Sequence, residues 1–92
     1  MIKVTGSVKQ KQTVQIFNEA SAREFKKQVL IIETFESSTP LRIEFTNANI
    51  EKLADIEIGN NCLVEYSVQG NYDKSDISKV YNSLIAKSIV KF

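Results

Sequence analysis

The fold of this chain is decided by residues 25–34, which read Phe25-Lys26-Lys27-Gln28-Val29-Leu30-Ile31-Ile32-Glu33-Thr34. The stretch is rich in β-branched residues, which favour strands, and it is long enough to cross a small β-structure in one pass. Its apolar run, residues 29–32, is far shorter than the roughly 20 residues that a membrane-spanning helix needs. We therefore predict a β-strand within an all-β chain that does not span a membrane.

Alternating stretches lie on both sides of this strand. Residues 2–9 place apolar and polar side chains in turn, and Gly6 among them predicts a bulge or a sharp bend. Residues 10–22 have no clean period, so we predict a loop there with an extended start at Thr13–Phe17. After a hairpin turn at residues 37–40, the period of two returns at residues 41–46 and predicts the next strand.

A short helix and two more strands complete the predicted order of elements. Asn47 or Asn49 is expected to cap the helix, because asparagine is a preferred residue at helix N-termini. Residues 62–68 alternate again, residues 69–78 are polar and predict a loop, and residues 80–92 predict the last strand.

This order of elements is that of a five-stranded OB-fold barrel, in which a short helix between the third and fourth strands closes one end. A length of 92 residues leaves room for a single domain, residues 1–92. The competing fold, a small β-sandwich, usually needs about seven strands. We therefore predict one all-β domain of the OB type.

The residue types argue against several classes of function. Cys62 is the only cysteine and the chain contains no histidine. An internal disulfide, a zinc site and a nucleophile activated by an imidazole are therefore not expected. We predict a binding protein without metal or cofactor and not an enzyme. Because the chain begins without the pattern of a secretory signal, the cytoplasm is its expected location.

The charge of the chain gives one argument against nucleic-acid binding and one argument for it. Strong nucleic-acid binders usually carry a clear basic excess, whereas the formal net charge here is only +1. The first thirty residues nevertheless contain six lysine or arginine residues against two glutamates, and most acidic residues come later. A nucleic-acid site would therefore depend on how the charges are segregated in space.

The stretch Phe25-Lys26-Lys27-Gln28, followed by an apolar run and Glu33-Thr34, resembles a strand of a small bacterial and phage family of unknown function. That family has a predicted OB fold and is related to single-stranded-DNA-binding proteins. The similarity continues through residues 53–68, with Ile58-Gly59 opening a strand, and at Tyr81-Asn82 in the last strand. The family generally carries tryptophans near the second strand and in the last one, and this chain has none. The resemblance implies an OB fold and single-stranded DNA as partner.

Two hypotheses from different classes follow. The leading one is a sequence-tolerant single-stranded DNA-binding protein acting in replication or recombination, in the host cytoplasm if a phage encodes it. Basic side chains would follow the phosphates, and aromatic rings would stack on the bases. The predicted site consists of Phe17, Arg23, Phe25, Lys26, Lys27, Arg42, Tyr72, Lys74 and Tyr81. The alternative is an OB-fold protein-interaction module or assembly subunit. A homodimer or small homo-oligomer is compatible with both hypotheses.

Each of these side chains also has a purely structural interpretation. Phe25 shares its strand face with apolar residues and belongs either to the core or to a stacking surface. Lys26 and Lys27 either contact a ligand or protect a strand edge from pairing with another chain. Tyr72 lies in a polar stretch and is expected to be exposed, whereas Cys62 is expected to be a small buried hydrophobe.

Overall fold

The computed structural model describes residues 1–18 and 24–92, with the side chain of Asn18 left aside. In this part of the chain, six strands form one hydrogen-bonded sheet, accompanied by one short 3₁₀ helix at Asn47–Leu53. The strands are β1 (Ile2–Lys11), β2 (Gln15–Asn18), β3 (Glu24–Thr34), β4 (Pro40–Thr46), β5 (Asn61–Tyr72) and β6 (Val80–Lys91). The chain is mostly β, as the sequence predicts.

Five of the strands pair in a closed ring. β1 runs antiparallel to both β3 and β5, β3 pairs with β4, and β5 pairs with β6. A short parallel pairing between β4 and β6, at Ile43–Leu84 and Glu44–Ile85, closes the ring. β2 lies outside it and pairs only with the first residues of β3, where Phe17 is opposite Phe25. β2 overlaps the extended start that was expected at residues 13–17 of the predicted loop, but a paired strand was not predicted there.

The interior of the ring is filled by every second side chain of its strands. These buried residues are Val8, Leu30, Ile32, Ile43, Phe45, Cys62, Val64, Tyr66 and Ala86. Leu53 from the 3₁₀ helix and Ile56 join the same core, and the helix contacts β3, β4 and β6. Each large apolar side chain contributes about 1.5–3 kcal/mol by leaving water. The burial expected for Cys62 is confirmed.

Gly6 lies where β1 pairs with β3 on one side and with β5 on the other. A Cβ atom built on Gly6 would stand 2.5 Å from the carbonyl oxygen of Glu33, which no side chain tolerates. The glycine therefore allows β3 to approach β1 closely. The bulge that was predicted at Gly6 occurs slightly later, because the register of β1 against β3 shifts between Val8 and Gln10.

The fifth strand is longer than the sequence predicted. β5 continues to Tyr72, although residues 69–72 were expected to belong to a loop. The pairing of β5 with β1 ends at Tyr66, and the pairing of β6 with β4 begins at Leu84. The hairpin of residues 67–83 therefore extends beyond the ring, and we call it the arm.

The start of the 3₁₀ helix also differs from the prediction. Thr46 is the N-cap residue, and no side chain makes a capping hydrogen bond there. Asn47 adopts a positive φ of 49°, and its side-chain oxygen accepts a hydrogen bond from the backbone N–H of Lys26. Its amide therefore ties the helix to β3 instead of capping it. No helix among the described residues is long and apolar enough to cross a bilayer.

Candidate nucleic-acid interface

β3 and β4 carry a second row of side chains on the side of the sheet that is opposite the core, and β2 extends this side beyond β3. We call this side of the three strands the outer face. Leu30 and Ile32 of β3 point into the ring, so the alternate residues of that strand lie on the outer face. The same alternation applies to β4. The cross-strand register then brings together Phe17 of β2, Phe25 and Lys27 of β3, and Arg42 and Glu44 of β4.

Two aromatic rings form one end of this face. The ring centroids of Phe17 and Phe25 are 6.1 Å apart, and their planes are inclined by 43°. The ammonium nitrogen of Lys27 lies 5.6 Å from the centroid of the Phe17 ring, within the range of a cation–π contact. Phe17 is exposed and Phe25 is partly buried. Phe25 therefore supports a ring that is itself open to solvent.

A buried carboxylate joins the two cations of the face. Nζ of Lys27 lies 3.1 Å from Oε1 of Glu44, and a guanidinium nitrogen of Arg42 lies 3.5 Å from Oε2. Glu44 is only 6% exposed. Burial raises the pKa of its carboxyl, but hydrogen bonds from Lys27 and Ser83 and the charges of Lys27 and Arg42 outweigh burial and hold that pKa below its ordinary value. Glu44 is therefore ionised at neutral pH, and both of its carboxylate oxygens interact with cations.

We call these three residues the Lys27–Glu44–Arg42 cluster, which carries one net positive charge. Its two cations differ in how accessible they are. The side chain of Lys27 is 22% exposed, because the ammonium group lies between Glu44 and the Phe17 ring. The side chain of Arg42 is 53% exposed and keeps guanidinium N–H groups free for an outside ligand. Arg42 is thus the cation of this face that can reach an anion in solution.

The two neighbouring lysines of β3 lie on opposite sides of the sheet. Lys26 is in register with Ile16 of β2, whereas Lys27 is in register with Gln15. Lys26 is exposed, but its side chain points away from the outer face. The structure therefore does not bring Lys26 and Lys27 together on one surface, because adjacent residues of a strand alternate.

The arm separates its two tyrosines in the same way. Tyr81 alternates with Ser83 along β6, and the Ser83 hydroxyl hydrogen-bonds to the Glu44 carboxylate, so Tyr81 belongs to the outer face. Tyr72 is in register with Val80 and lies on the other side of the arm. Tyr72 is strongly exposed, as predicted, but it ends a strand instead of lying in a loop.

The tip of the arm is organised by its two aspartates. Asp73 accepts hydrogen bonds from the backbone N–H and hydroxyl of Ser75 and from the hydroxyl of Tyr81, at 2.6–3.0 Å. Asp76 accepts the equivalent pair from Ser78. The hydrogen bonds from Ser75 and from Ser78 lower the pKa of the respective carboxyls. Lys74 lies in this tip and is exposed.

The nine predicted site residues thus divide into groups. The outer face carries five of them, which are Phe17, Phe25, Lys27, Arg42 and Tyr81. Two others, Lys26 and Tyr72, lie on the opposite side of the sheet. Lys74 is at the arm tip, and Arg23 is outside the described residues. The sequence reasoning missed Glu44, which is central to the face. Its position between two cations on neighbouring strands was the available signal.

Other lysines of the basic first third have structural partners elsewhere. Lys3 lies 4.0 Å from the Glu65 carboxylate on β5. The ammonium group of Lys11 donates hydrogen bonds to the backbone carbonyls of Leu53 and Ile56, at 2.8 and 3.1 Å. Lys11 therefore stabilises the end of the 3₁₀ helix, and the basic character of the first third is not concentrated on one surface.

No model of a known protein family matches the chain, and no curated protein sequence matches it either. In residues 1–18 and 24–92, no group of three or more cysteine, aspartate or glutamate side chains is arranged to hold a metal ion. The function of the outer face is therefore inferred from its own side chains.

Proposed function

We propose that this chain is an OB-fold protein that binds single-stranded DNA across its outer face, with little dependence on sequence, in replication or recombination. The order of strand pairing supports the OB assignment. Five strands form the ring, one link in it is parallel, and a short helix connects β4 to β5. This arrangement supports an OB fold, in which the second and third strands bind oligonucleotides. In this chain those strands would be β3 and β4.

The observation that carries the proposal is the grouping of Phe17 and Phe25 with Lys27 and Arg42 on the outer face of β2, β3 and β4. Exposed aromatic rings stack on bases whatever the sequence, because every base has a π-face. Cations beside such rings contact the phosphates that join the bases. Phe17 would be the stacking ring, Arg42 the phosphate contact, and Tyr81 a second ring further along the face.

The Lys27–Glu44–Arg42 cluster predicts how binding depends on salt. With one net positive charge at its centre, the face neutralises few phosphates. Each neutralised phosphate of a single strand contributes about −0.7 to the slope of log K against log salt concentration. We therefore expect a shallow slope of about −1 to −2, and most of the affinity should come from stacking.

The proposal is tested by fluorescence anisotropy of a labelled oligo-dT strand, titrated with the protein at low and at moderate salt. We expect saturable binding that weakens modestly as salt increases. No binding at either salt concentration removes the proposal. Binding that does not respond to salt contradicts the role assigned to Arg42.

Matched variants test the outer face itself. Phe17→Ala should weaken oligo-dT binding by about 5- to 150-fold, which corresponds to the roughly 1–3 kcal/mol of one stacking contact. Ile16→Ala is the control, because Ile16 is equally exposed on the other side of β2. Arg42→Ala should weaken binding and flatten the salt dependence, and Lys26→Ala should do neither. Equal effects within either pair would show that the outer face is not the binding surface.

The second candidate function, a protein-interaction module, is favoured by one specific observation. The arm exposes Val68, Tyr72 and Val80 together on one side, away from the Lys27–Glu44–Arg42 cluster. Apolar side chains grouped on a surface mark sites of association more often than isolated ones do. This candidate would be supported if the unmodified chain associates with itself but does not bind oligo-dT.

A further inference from the structure

We infer that the arm binds a second copy of this chain through the side that continues the core, which we call the inner face of the arm. Its residues are Val68 and Tyr72 of β5 and Val80 of β6. This inference does not depend on DNA binding, because none of these three residues lies on the outer face.

The inner face is apolar because the alternation of the core strands continues after the core has ended. Tyr66 of β5 is buried in the ring, and Val68, two residues later, lies on the same side of the sheet. Beyond the ring, nothing among the described residues covers this side. Val68, Tyr72 and Val80 are therefore 51%, 72% and 53% exposed.

Gly70 adds a shape feature to this face. It lies between Val68 and Tyr72 on the same side of β5, opposite Asn82 of β6. A Cβ atom at Gly70 would come within 3.1 Å of the Asn82 side-chain oxygen. Glycine within a strand often marks a place where another chain approaches closely. Here the side chain of Asn82, on the same side of β6, occupies the space over the glycine, so the inner face carries one polar side chain between its apolar residues.

The charges around the inner face favour a second copy over a nucleic acid. The arm carries two aspartates and two lysines, so its own net charge is zero. Both carboxylates are held at the tip by hydrogen bonds from Ser75, Ser78 and Tyr81. A copy of the same arm, turned about a two-fold axis, presents acidic and basic groups in equal number together with the same apolar residues.

The backbone of the arm can take part as well. β6 pairs with β4 only from Leu84 onward, and β1 pairs with β5 only up to Tyr66. In the described chain, the outer edges of the arm strands therefore have no strand partner. Unpaired edges of this kind readily pair with another chain.

The size of the inner face predicts a weak dimer. Three exposed apolar side chains per copy, with the adjoining backbone, bury on the order of 800–1,000 Å² over both copies, near the lower limit for a specific interface. We therefore expect a dissociation constant of the order of micromolar or weaker and a monomer at high dilution.

Sedimentation velocity over a concentration series from about 1 μM to several hundred μM, without DNA, tests the inference. The unmodified chain should shift from monomer to dimer across this range. Val80→Lys and Tyr72→Lys should each raise the dimer dissociation constant at least about tenfold, because each substitution places two charges in the symmetric interface. The control is Gln69→Lys, which adds the same charge to the opposite side of the arm. Far-UV circular dichroism confirms that each variant is folded.

A chain that stays monomeric over the whole range overturns the inference. So does a dimer that all three variants weaken equally, or one that none of them weakens. Titration of Val80→Lys with a short oligo-dT separates this inference from DNA binding. A monomeric variant that still binds DNA leaves both conclusions standing, and a dimer that binds no DNA removes only the proposed function.

Discussion

Replacing Glu44 by glutamine should destabilise the fold by about 2 kcal/mol. The substitution keeps the shape of the side chain but removes the charge that holds Lys27 at 3.1 Å and Arg42 at 3.5 Å. Removing one partner of a fully buried pair costs about 3–5 kcal/mol. Because Lys27 is 22% exposed and Arg42 is 53% exposed, both cations can regain water, and the cost falls toward that of one charged hydrogen bond.

Urea unfolding monitored by circular dichroism measures this effect at pH 7. For a domain of this size, about 2 kcal/mol corresponds to a decrease in Tm of about 10 °C. The control is Glu65→Gln, because Glu65 pairs with Lys3 at 4.0 Å on the surface and should contribute less than about 0.5 kcal/mol. A Glu44→Gln variant as stable as Glu65→Gln would refute the stabilising role of the cluster.

The pH dependence of stability gives an independent check on the same cluster. The pKa of Glu44 is lower in the folded chain than its ordinary value of 4.5. Ionised Glu44 therefore stabilises the fold fully above that value, and this contribution is lost as the pH falls through the lower folded pKa. Glu44→Gln should remove this part of the acid dependence. An unchanged acid dependence would contradict the assignment.

Further predictions concern the ring and its core. Gly6→Ala should destabilise the chain by more than about 2 kcal/mol in urea, since its Cβ would meet the Glu33 carbonyl at 2.5 Å, whereas Gly70→Ala should cost about 1 kcal/mol or less. Lys11→Met should cost about 1–2 kcal/mol, measured in the same way, because two carbonyls at the end of the 3₁₀ helix lose their donor. The Cys62 thiol should react with a disulfide reagent only after unfolding, since burial raises its pKa; rapid reaction in the folded state would contradict its placement.

The sequence predicted several ring strands well, because a strand with one buried and one exposed side shows a period of two. The strand at residues 25–34 was predicted from its β-branched residues instead, and it differs from β3 by one residue at its start. β2 escaped prediction because all of its side chains with described burial are exposed, so no core imposes a period on it. The end of β5 escaped for a related reason. Residues 69–72 are polar or exposed, and they are strand only because β6 pairs with them.

The candidate site was less predictable than the fold. Residue type alone grouped Lys26 with Lys27 and Tyr72 with Tyr81, although each pair is divided between two sides of a sheet. The strand predicted at residues 25–34 already implied that the two adjacent lysines lie on opposite sides of the sheet. The cations on neighbouring strands were a signal for Glu44, but its burial could not be predicted, because the pairing of β4 with β6 was not known from the sequence.

The parallel pairing that closes the ring has a consequence for how the chain acquires its structure. β4 meets β6 at only two residue pairs, and β6 is the last strand to leave the ribosome. Until it arrives, β4 and β5 each lack a neighbour, and β1 must wait for β5, about sixty residues away along the chain. Contacts so distant in sequence slow folding to milliseconds or longer. The ring therefore stays incomplete, with open strand edges, until β6 has been synthesised.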